Sequence, residues 1–491
     1  MRSFTLRVPK SMLLTILAAA FAPAPALAAE PAAAQARLSP SASAVPRGME
    51  FGQDSVLADL LREALGNRPE LVQAKAIFEA ELARVPQVRA LPDPVLSLGI
   101  QNDGFKGLQI GQMETSYWSI GAAQTFPWHG KRGLRAKVQS LGAKQSGADL
   151  ERTRLSVQAE VERGYLDLLL VRDQIRILGT LEILWVQADG LSRSRYETGG
   201  GAQTDILRAQ LERSRLQQQR WALVAEERRR LAVLNRSVGR PFDRPIPTAV
   251  SLRDISDPSL PDSSSAEVEV ETRSPELQKA RLTAVQSGAL VSLAKKDYYP
   301  DLTVSGGVMP RGGAFEPMWQ AGVSVPIPLW AAGKQSKAVS EYQLRGRAAE
   351  SNAETIRRLA RQRLEERRAI LTALLQTNRL YRSGVLIQSE ATVSSAMAQY
   401  QVGRVPFASV LEALSGLQAD LVGFYESVAA TQRIDIAQRE FSLDPVVGAG
   451  LGGLGGTTMP GSSGMGAAPA PAGSSPVPAA AGSKSSAMPR M

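Results

Sequence analysis

The chain of 491 residues contains no cysteine and a single histidine, His129. Without cysteine it has no thiolate metal ligands, no disulfides and no thiol to carry a lipid anchor. One histidine excludes the H-E-x-x-H zinc motif and a Ser-His-Asp triad. The sequence therefore predicts a protein that is not an enzyme and that holds no cofactor or metal. His129 lies just past a predicted strand, where an interfacial loop position is favoured over a pH or metal contact.

Long apolar runs are also lacking. Beyond residue 28, no stretch approaches the ~20 uninterrupted apolar residues of a membrane-spanning helix, so none is expected. Residues 1–28 combine a basic start, an apolar run and an A-x-A-like end, which predicts a secretory signal peptide that is cleaved near Ala28. The net charge of +10 is dispersed along predicted helices, which disfavours a nucleic-acid partner.

Four short segments alternate between apolar and small or polar residues, and they lie at 94–101, 116–127, 300–308 and 318–328. Strict alternation predicts β-strands. Apolar residues on one side and polar residues on the other are typical of lipid-facing barrel strands. A half-buried sheet of a soluble protein is the alternative that these strands alone leave open.

The rest of the chain is mostly helical in pattern. Helices are predicted at 54–90 with a break at Pro69, from Lys131 to about Ser194, and at 203–236, 274–298, 334–398 and 408–441. The two longest would each extend ~95 Å. Residues 29–53 are predicted to be a flexible lead-in, 237–273 a linker, and 446–491 a disordered Gly/Ala/Pro/Ser-rich tail.

The pattern occurs twice. The motif at 67–71 returns at 273–277, Trp118 returns as Trp319, and Tyr196 returns as Tyr400, all at nearly one offset. This indicates an internal duplication with a first repeat at 54–236 and a second at 274–445. Each repeat is expected to place a strand pair at one end and a glycine turn at the other. The helix at 203–236 is expected to be continued by that at 274–298, and the helix at 408–441 by that at 54–90.

Four strands cannot close a barrel, because about eight are needed. An open sheet in lipid would leave unpaired backbone groups, which is very costly. The sequence therefore predicts an oligomer with cyclic symmetry, in which two copies would supply eight strands and three would supply twelve.

These features resemble the TolC-like outer-membrane efflux proteins over residues 54–441. The resemblance rests on the motif at 67–71, the strand start at 91–94, the segment QTFPWHGK at 124–131, and the paired turns at 196–206 and 400–411. It implies a homotrimer with a 12-stranded barrel in the outer membrane of a Gram-negative bacterium. A coiled-coil helical barrel would cross the periplasm and dock onto an adaptor protein and, through it, an inner-membrane pump. The segment at 124–131 is most similar to the heavy-metal efflux branch.

The resemblance also implies roles for particular residues. The residues of the two glycine turns would form the tip that meets the adaptor, although glycine also simply ends helices; they are Gly199, Gly200, Gly201, Gly403 and Arg404. Asp205 and Glu412 would ring and narrow the pore as a periplasmic gate, with helix-dipole and solvated positions as alternatives. Trp118, Trp319 and Trp330 would form an aromatic girdle, with core packing as the rival. Four methionines of the tail, Met459, Met465, Met488 and Met491, are weaker candidates for soft-metal contact.

Three functions follow as hypotheses. The first is a passive exit duct of a tripartite efflux pump, with heavy-metal cations as its expected cargo. The second keeps the architecture but serves multidrug efflux or type I protein secretion. The third is a soluble periplasmic coiled-coil scaffold without a pore.

Overall fold

The computed structural model describes residues 49–248, 250–260 and 262–445. The predicted signal peptide and the predicted tail with its methionines lie outside these residues. The fold class is confirmed as mainly helical with a small β part. The helices are α1 Ser55–Asn67, α2 Pro69–Arg89, α3 Lys131–Glu197, α4 Gln203–Val238, α5 Ser263–Arg273, α6 Pro275–Lys296, α7 Gln335–Leu380, α8 Leu386–Gln401 and α9 Phe407–Arg439. The strands are β1 Val95–Gln101, β2 Tyr117–Phe126, β3 Leu302–Met309 and β4 Met318–Ser324.

The four strands form one antiparallel sheet in the order β1-β2-β3-β4. The two hairpins, one from each repeat, meet where β2 pairs with β3. The sequence extended the fourth strand to Pro328, which is wrong because the strand ends at Ser324. Pro326 and Pro328 have no N–H to donate to a sheet, so the pairing stops before them.

Each repeat contains one long helical span, but only the first span is continuous. α3 runs unbroken for 67 residues, about 100 Å at 1.5 Å per residue. The second repeat covers the same span from residue 335 to residue 401 as α7, a π turn at Tyr381–Val385, and α8. The predicted long helix at 334–398 is therefore present but interrupted.

The repeated proline motif marks two helix joints. Arg68 and Ser274 both precede a proline and are extended, which ends one helix, and the proline then begins the next one. The Arg68 guanidinium donates 2.8 Å to the carbonyl oxygen of Ser237, near the end of α4. The C-terminus of α4 therefore meets α2, not α6 as predicted.

The second joint is built in the same way. Arg152 of α3 lies 2.6 Å from Glu276 of α6 and 3.1 Å from Glu440, which caps α9. The C-terminus of α9 therefore meets α6. The predicted exchange of helices between the repeats is therefore wrong. In each repeat, the helix after the glycine turn (α4 or α9) stacks on the helix that precedes the strand pair of the same repeat (α2 or α6).

Two segments that were predicted to lack structure are ordered. Within the predicted lead-in, Met49 pairs with Ile255 and Phe51 is buried against Tyr165. Within the predicted linker, α5 is a full helix, and the carboxylate of the preceding residue, Asp262, caps its N-terminus. α5 precedes α6 as α1 precedes α2, so the second repeat begins earlier than predicted. Clusters of Ser and Asp suggested a loop because these residues favour turns and helix caps equally.

The buried apolar residues lie between the helices. One cluster surrounds Tyr165 and Leu169 of α3, and another surrounds Leu181, Phe407 and Leu414 near the glycine turns. Among the described residues, α9 alone has the length and composition of a membrane-spanning helix, which the sequence did not lead us to expect. Its apolar side chains, such as Phe407, pack on α3 and α8 instead, which accounts for its composition.

Candidate functional site

The sheet has two chemically different faces. One face carries the large apolar side chains, which are exposed: Leu96, Leu98, Ile100, Trp118, Ile120, Val304, Val308, Trp319 and Val323. The other face carries small or polar residues, among them Ser97, Gly99, Ser119, Gly121, Ser305, Gly307 and Gln320. A soluble protein would cover the apolar face with another layer, and no element of the described residues covers it. This arrangement fits a sheet with lipid on one side and a polar lumen on the other.

Glycines keep the polar face tight where the repeats meet. Gly307 pairs with Gly121, and a Cβ atom at Gly307 would lie 2.8 Å from the carbonyl oxygen of Ile120. The neighbouring Gly306 points to the other face, where the nearest atom to an added Cβ would be 3.7 Å away. Only the glycine on the polar face is therefore sterically required.

The predicted girdle residues lie at two levels. Trp118 and Trp319 begin β2 and β4, beside the hairpin loops, and Trp319 is 78% exposed. Trp330 lies beyond the opposite end of β4, near α7, and is equally exposed. None is packed in a core. Two interfacial levels are expected for a membrane barrel, and the girdle assignment stays a prediction.

The glycine turns lie side by side at the other end of the helices. Gly199 and Gly403 both have φ near +76°, the left-handed geometry in which glycine ends a helix. Gly200 and Gly201 complete the first turn, and the exposed Arg404 follows Gly403 in the second. Together with Arg195 and Tyr400, these residues form what we name the tip.

Arg195, which the sequence pattern did not single out, joins the two turns. Its guanidinium donates to the carbonyl oxygens of Tyr400 at 2.9 Å and Gly200 at 2.6 Å. It also stacks over the Tyr400 ring, 4.7 Å from the centroid. Its counterpart in the second repeat is Gln399, which bonds only within its own helix. This asymmetry between two otherwise matching positions was the signal available in the sequence.

Of the two predicted gate residues, Asp205 takes part in the same network. It lies in the first turn of α4 and accepts a hydrogen bond of 3.1 Å from the Tyr400 hydroxyl. Burial, and then the Asp205 carboxylate, raise the pKa of Tyr400 to about 12. Asp205 therefore links the first repeat to the second.

Glu412 stands apart from this link. It is exposed on α9 and lines an open groove of 610 Å³ between α8 and α9. The other lining residues are mostly small, including Ser389, Thr392, Ser395, Ser409 and Gly416. No hydrogen bond or ion pair of the described residues joins Glu412 to Asp205. The structure thus brings the tip residues together. Within one chain, it does not bring the carboxylates of Asp205 and Glu412 into contact.

No group of three or more His, Asp or Glu residues within 49–445, apart from the two undescribed positions, is arranged to hold a metal ion. His129 is exposed in the loop between β2 and α3, and its interfacial position stays a prediction.

The fold and both ends together define a class: a long helical protein that carries, at one end, a four-stranded sheet with an uncovered apolar face and two free edges. The outer membrane efflux protein family model matches residues 60–240, which is the first repeat. No curated protein sequence matches the chain.

Solved structures share the fold over most of its length. The channel CusC is 17% identical with a TM-score of 0.69, and covers 80% of this chain and 94% of its own. The outer-membrane channel OprN is 19% identical with a TM-score of 0.63, over 80% and 92%. The outer-membrane protein VceC of Vibrio cholerae is 16% identical with a TM-score of 0.65, over 79% and 95%. The family match over the first repeat and the shared fold agree with the resemblance to outer-membrane efflux proteins that the sequence suggested.

Proposed function

We propose that three copies of this chain form the exit duct of a tripartite efflux pump, and that the duct performs no chemistry itself. Channels of this family are passive, and typically act as trimers with adaptor proteins. The observation that supports the proposal most directly is the uncovered two-faced sheet. Its edges, β1 and β4, run in opposite directions, so β4 of one copy can pair antiparallel with β1 of the next. Three copies would then close a 12-stranded barrel without a free edge.

The first experiment is conductance of the purified protein in liposomes. Stable unitary currents support a duct, whereas a periplasmic scaffold without a pore would give none. Cross-linking of cysteines introduced at facing positions of β1 and β4 would report the copy number on a gel. A ladder that stops at two copies, rather than three, would contradict the trimer.

Heavy-metal cations are the cargo that we propose, because segment 124–131 is similar to the heavy-metal branch. Growth of a deletion strain across copper, silver, zinc, cobalt and cadmium, beside drugs and detergents, tests this. Sensitivity to metals alone supports the proposal. Sensitivity to organic compounds alone would reassign the duct to multidrug efflux, and no phenotype would favour protein secretion.

The tip is proposed to dock the adaptor and to carry the gate. The glycine turns present backbone at the end of the helices, and the groove beside Glu412 offers room for a partner's side chains. In a trimer, Asp205 and Glu412 would each occur three times around the axis, and rings of like carboxylates select cations. The double variant Asp205→Ala with Glu412→Ala is expected to widen the channel and lower its cation selectivity.

The matched control for this gate test is Glu390→Ala. Glu390 is an exposed carboxylate on α8 and has no ion pair among the described residues. It should leave conductance and selectivity unchanged. Equal behaviour of the double variant and the parent protein would remove the gate from the proposal but leave the duct.

A further inference from the structure

An aromatic pair lies where the first hairpin joins the helices. Trp128 follows Phe126, the last apolar residue of β2, and its indole stacks on Tyr299 with ring centroids 5.2 Å apart and planes 12° apart. Both rings are exposed, Trp128 to 43% and Tyr299 to 47%. The Trp128 indole N–H has no hydrogen-bond partner among the described residues. The pair therefore presents flat apolar surface and a free donor at the helix-side edge of the sheet.

Two lysines flank this pair and differ in their partners. The Lys131 ammonium lies 2.8 Å from Asp301 and 3.5 Å from Asp297, so its charge is balanced. The Lys296 ammonium lies over the Tyr299 ring, 5.5 Å from the centroid, and its side chain passes Gly130. No carboxylate of the described residues lies within 4.0 Å of it. Lys296 is thus a cation without an acidic partner beside an exposed aromatic pair.

The dipole of α6 explains only part of the arrangement of Lys296 beside the stacked rings. Lys295 and Lys296 end α6, where cations are favoured. That explains the charge but not the stacked rings beside it. The duplication supplies a comparison, because Ala90 and Asp93 take the places of Lys296 and Tyr299 in the first repeat. At the other strand-to-helix joint, Trp330 has neither a stacked aromatic ring nor a cation over its ring within the part of the chain that the structure describes.

We propose that Trp128, Tyr299 and Lys296 bind the headgroup of an anionic phospholipid in the leaflet nearest the helices. The ammonium and the indole N–H would donate to the phosphate oxygens, and the rings would lie against the glycerol and upper acyl chain. The site continues the apolar face of the sheet, so it lies where headgroups would be if that face contacts lipid. The inference rests on the proposed function, because only an inserted sheet places these residues at a membrane surface.

The test is native mass spectrometry of the full-length protein titrated with phosphatidylglycerol and, separately, with zwitterionic phosphatidylcholine. Lys296→Ala should weaken phosphatidylglycerol binding about fivefold, the effect of one lysine near an anionic surface, and leave phosphatidylcholine binding unchanged. Lys296→Arg should retain binding. The control is Lys334→Ala, which removes an exposed lysine at the other joint.

Three results would overturn the proposal. Unchanged binding in Lys296→Ala is one, and an equal loss in Lys334→Ala is another, because it would indicate diffuse attraction. Displacement of the lipid by millimolar inorganic phosphate would assign the site to free phosphate. Conductance of the same preparations separates the two levels: conducting channels without phosphatidylglycerol preference would refute only the lipid site. Failure of every preparation to conduct would refute the duct and this site together.

Discussion

The two repeats contain the same elements at nearly the same spacing, yet they differ in the continuity of their long helices. In the first repeat, α3 is uninterrupted, and its last turn supplies Arg195, which holds both glycine turns. In the second, the equivalent span contains the π turn at 381–385. The residue that corresponds to Arg195 there is Gln399, whose side chain does not bond to either turn. A duplicated sequence thus gives one uninterrupted helix, whose arginine bonds to both turns, and one interrupted helix that lacks this arginine.

Specific contacts surround the π turn. It places Tyr381 against α9, where a Cβ atom at Gly423 would lie 2.7 Å from the Tyr381 hydroxyl oxygen. Asn378, one turn earlier, is fully buried and bonds Asp257 and Thr431, while Arg382 pairs with Asp257. These contacts fix the interruption at one place. π turns are frequent at functional sites, so the second repeat is where a change of helix register would occur.

The largest effect is expected at the seam between the repeats. Gly307→Ala would press a methyl group on the Ile120 carbonyl, and overpacking against backbone should cost about 3 kcal/mol per chain. Gly306→Ala, one residue away on the other face, should be nearly neutral. The measurement is the temperature at which the assembled barrel dissociates on a gel. Similar temperatures for the two variants would show that the repeats meet less tightly than described.

The next effect concerns Arg195, which joins the two glycine turns. Arg195→Ala removes two charge-assisted hydrogen bonds and the cation–π contact with the Tyr400 ring, and should cost about 2 kcal/mol after allowance for its partial exposure. It should also raise the open probability of single channels. Gln399→Ala, at the matching position of the second repeat, should do neither. An equal effect of both substitutions would contradict the conclusion that the first repeat alone supplies the side chain that joins the turns.

Near the π turn, two Gly→Ala substitutions in α9 should change the stability in opposite directions. Gly423→Ala should destabilise by about 1–2 kcal/mol, because its methyl group meets Tyr381. Gly416→Ala, in the same helix with open space around it, should stabilise by about 0.5 kcal/mol. Adding Tyr381→Phe to Gly423→Ala should restore stability. Thermal unfolding followed by circular dichroism measures all three, and a loss at both glycines would exclude the tyrosine as the cause.

The smallest effect is that of the link to Asp205. Tyr400→Phe removes one hydrogen bond and should cost about 1 kcal/mol, whereas Tyr196→Phe, at the matching exposed position, should cost nothing. The pKa of Tyr400 is raised to about 12, so the link is fully present below pH 10 and is lost as the pH rises toward 12. Spectrophotometric titration should show one late-titrating tyrosine missing in Tyr400→Phe. A titration identical to that of the parent chain would contradict the link.

Much of the fold could be predicted from the sequence, because it follows from local periodicity. Period-2 alternation located all four strands, and spacing of threes and fours located the long helices. The duplication was visible because landmarks such as Trp118 and Trp319 kept their order. Alternation also predicted the two faces of the sheet, since consecutive strand residues must point to opposite sides.

Long-range partners could not be predicted in this way. The sequence paired the return helices wrongly, because helix length says nothing about which end meets which; the Arg68 and Arg152 bonds decide that. The hydrogen bond from Arg195 to the second turn joins two residues that are 205 apart in the chain. α5 was missed because its Ser and Asp residues suit a cap as well as a loop.

The sequence alone determined the repeat, the two-faced strands and the lengths of the helices, since each depends on the spacing of side chains along one segment. Only the tertiary structure decided which helices stack, where the second long helix is interrupted, and which arginine joins the turns. Those features depend on contacts between distant segments, and a contact exists only when both partners are placed.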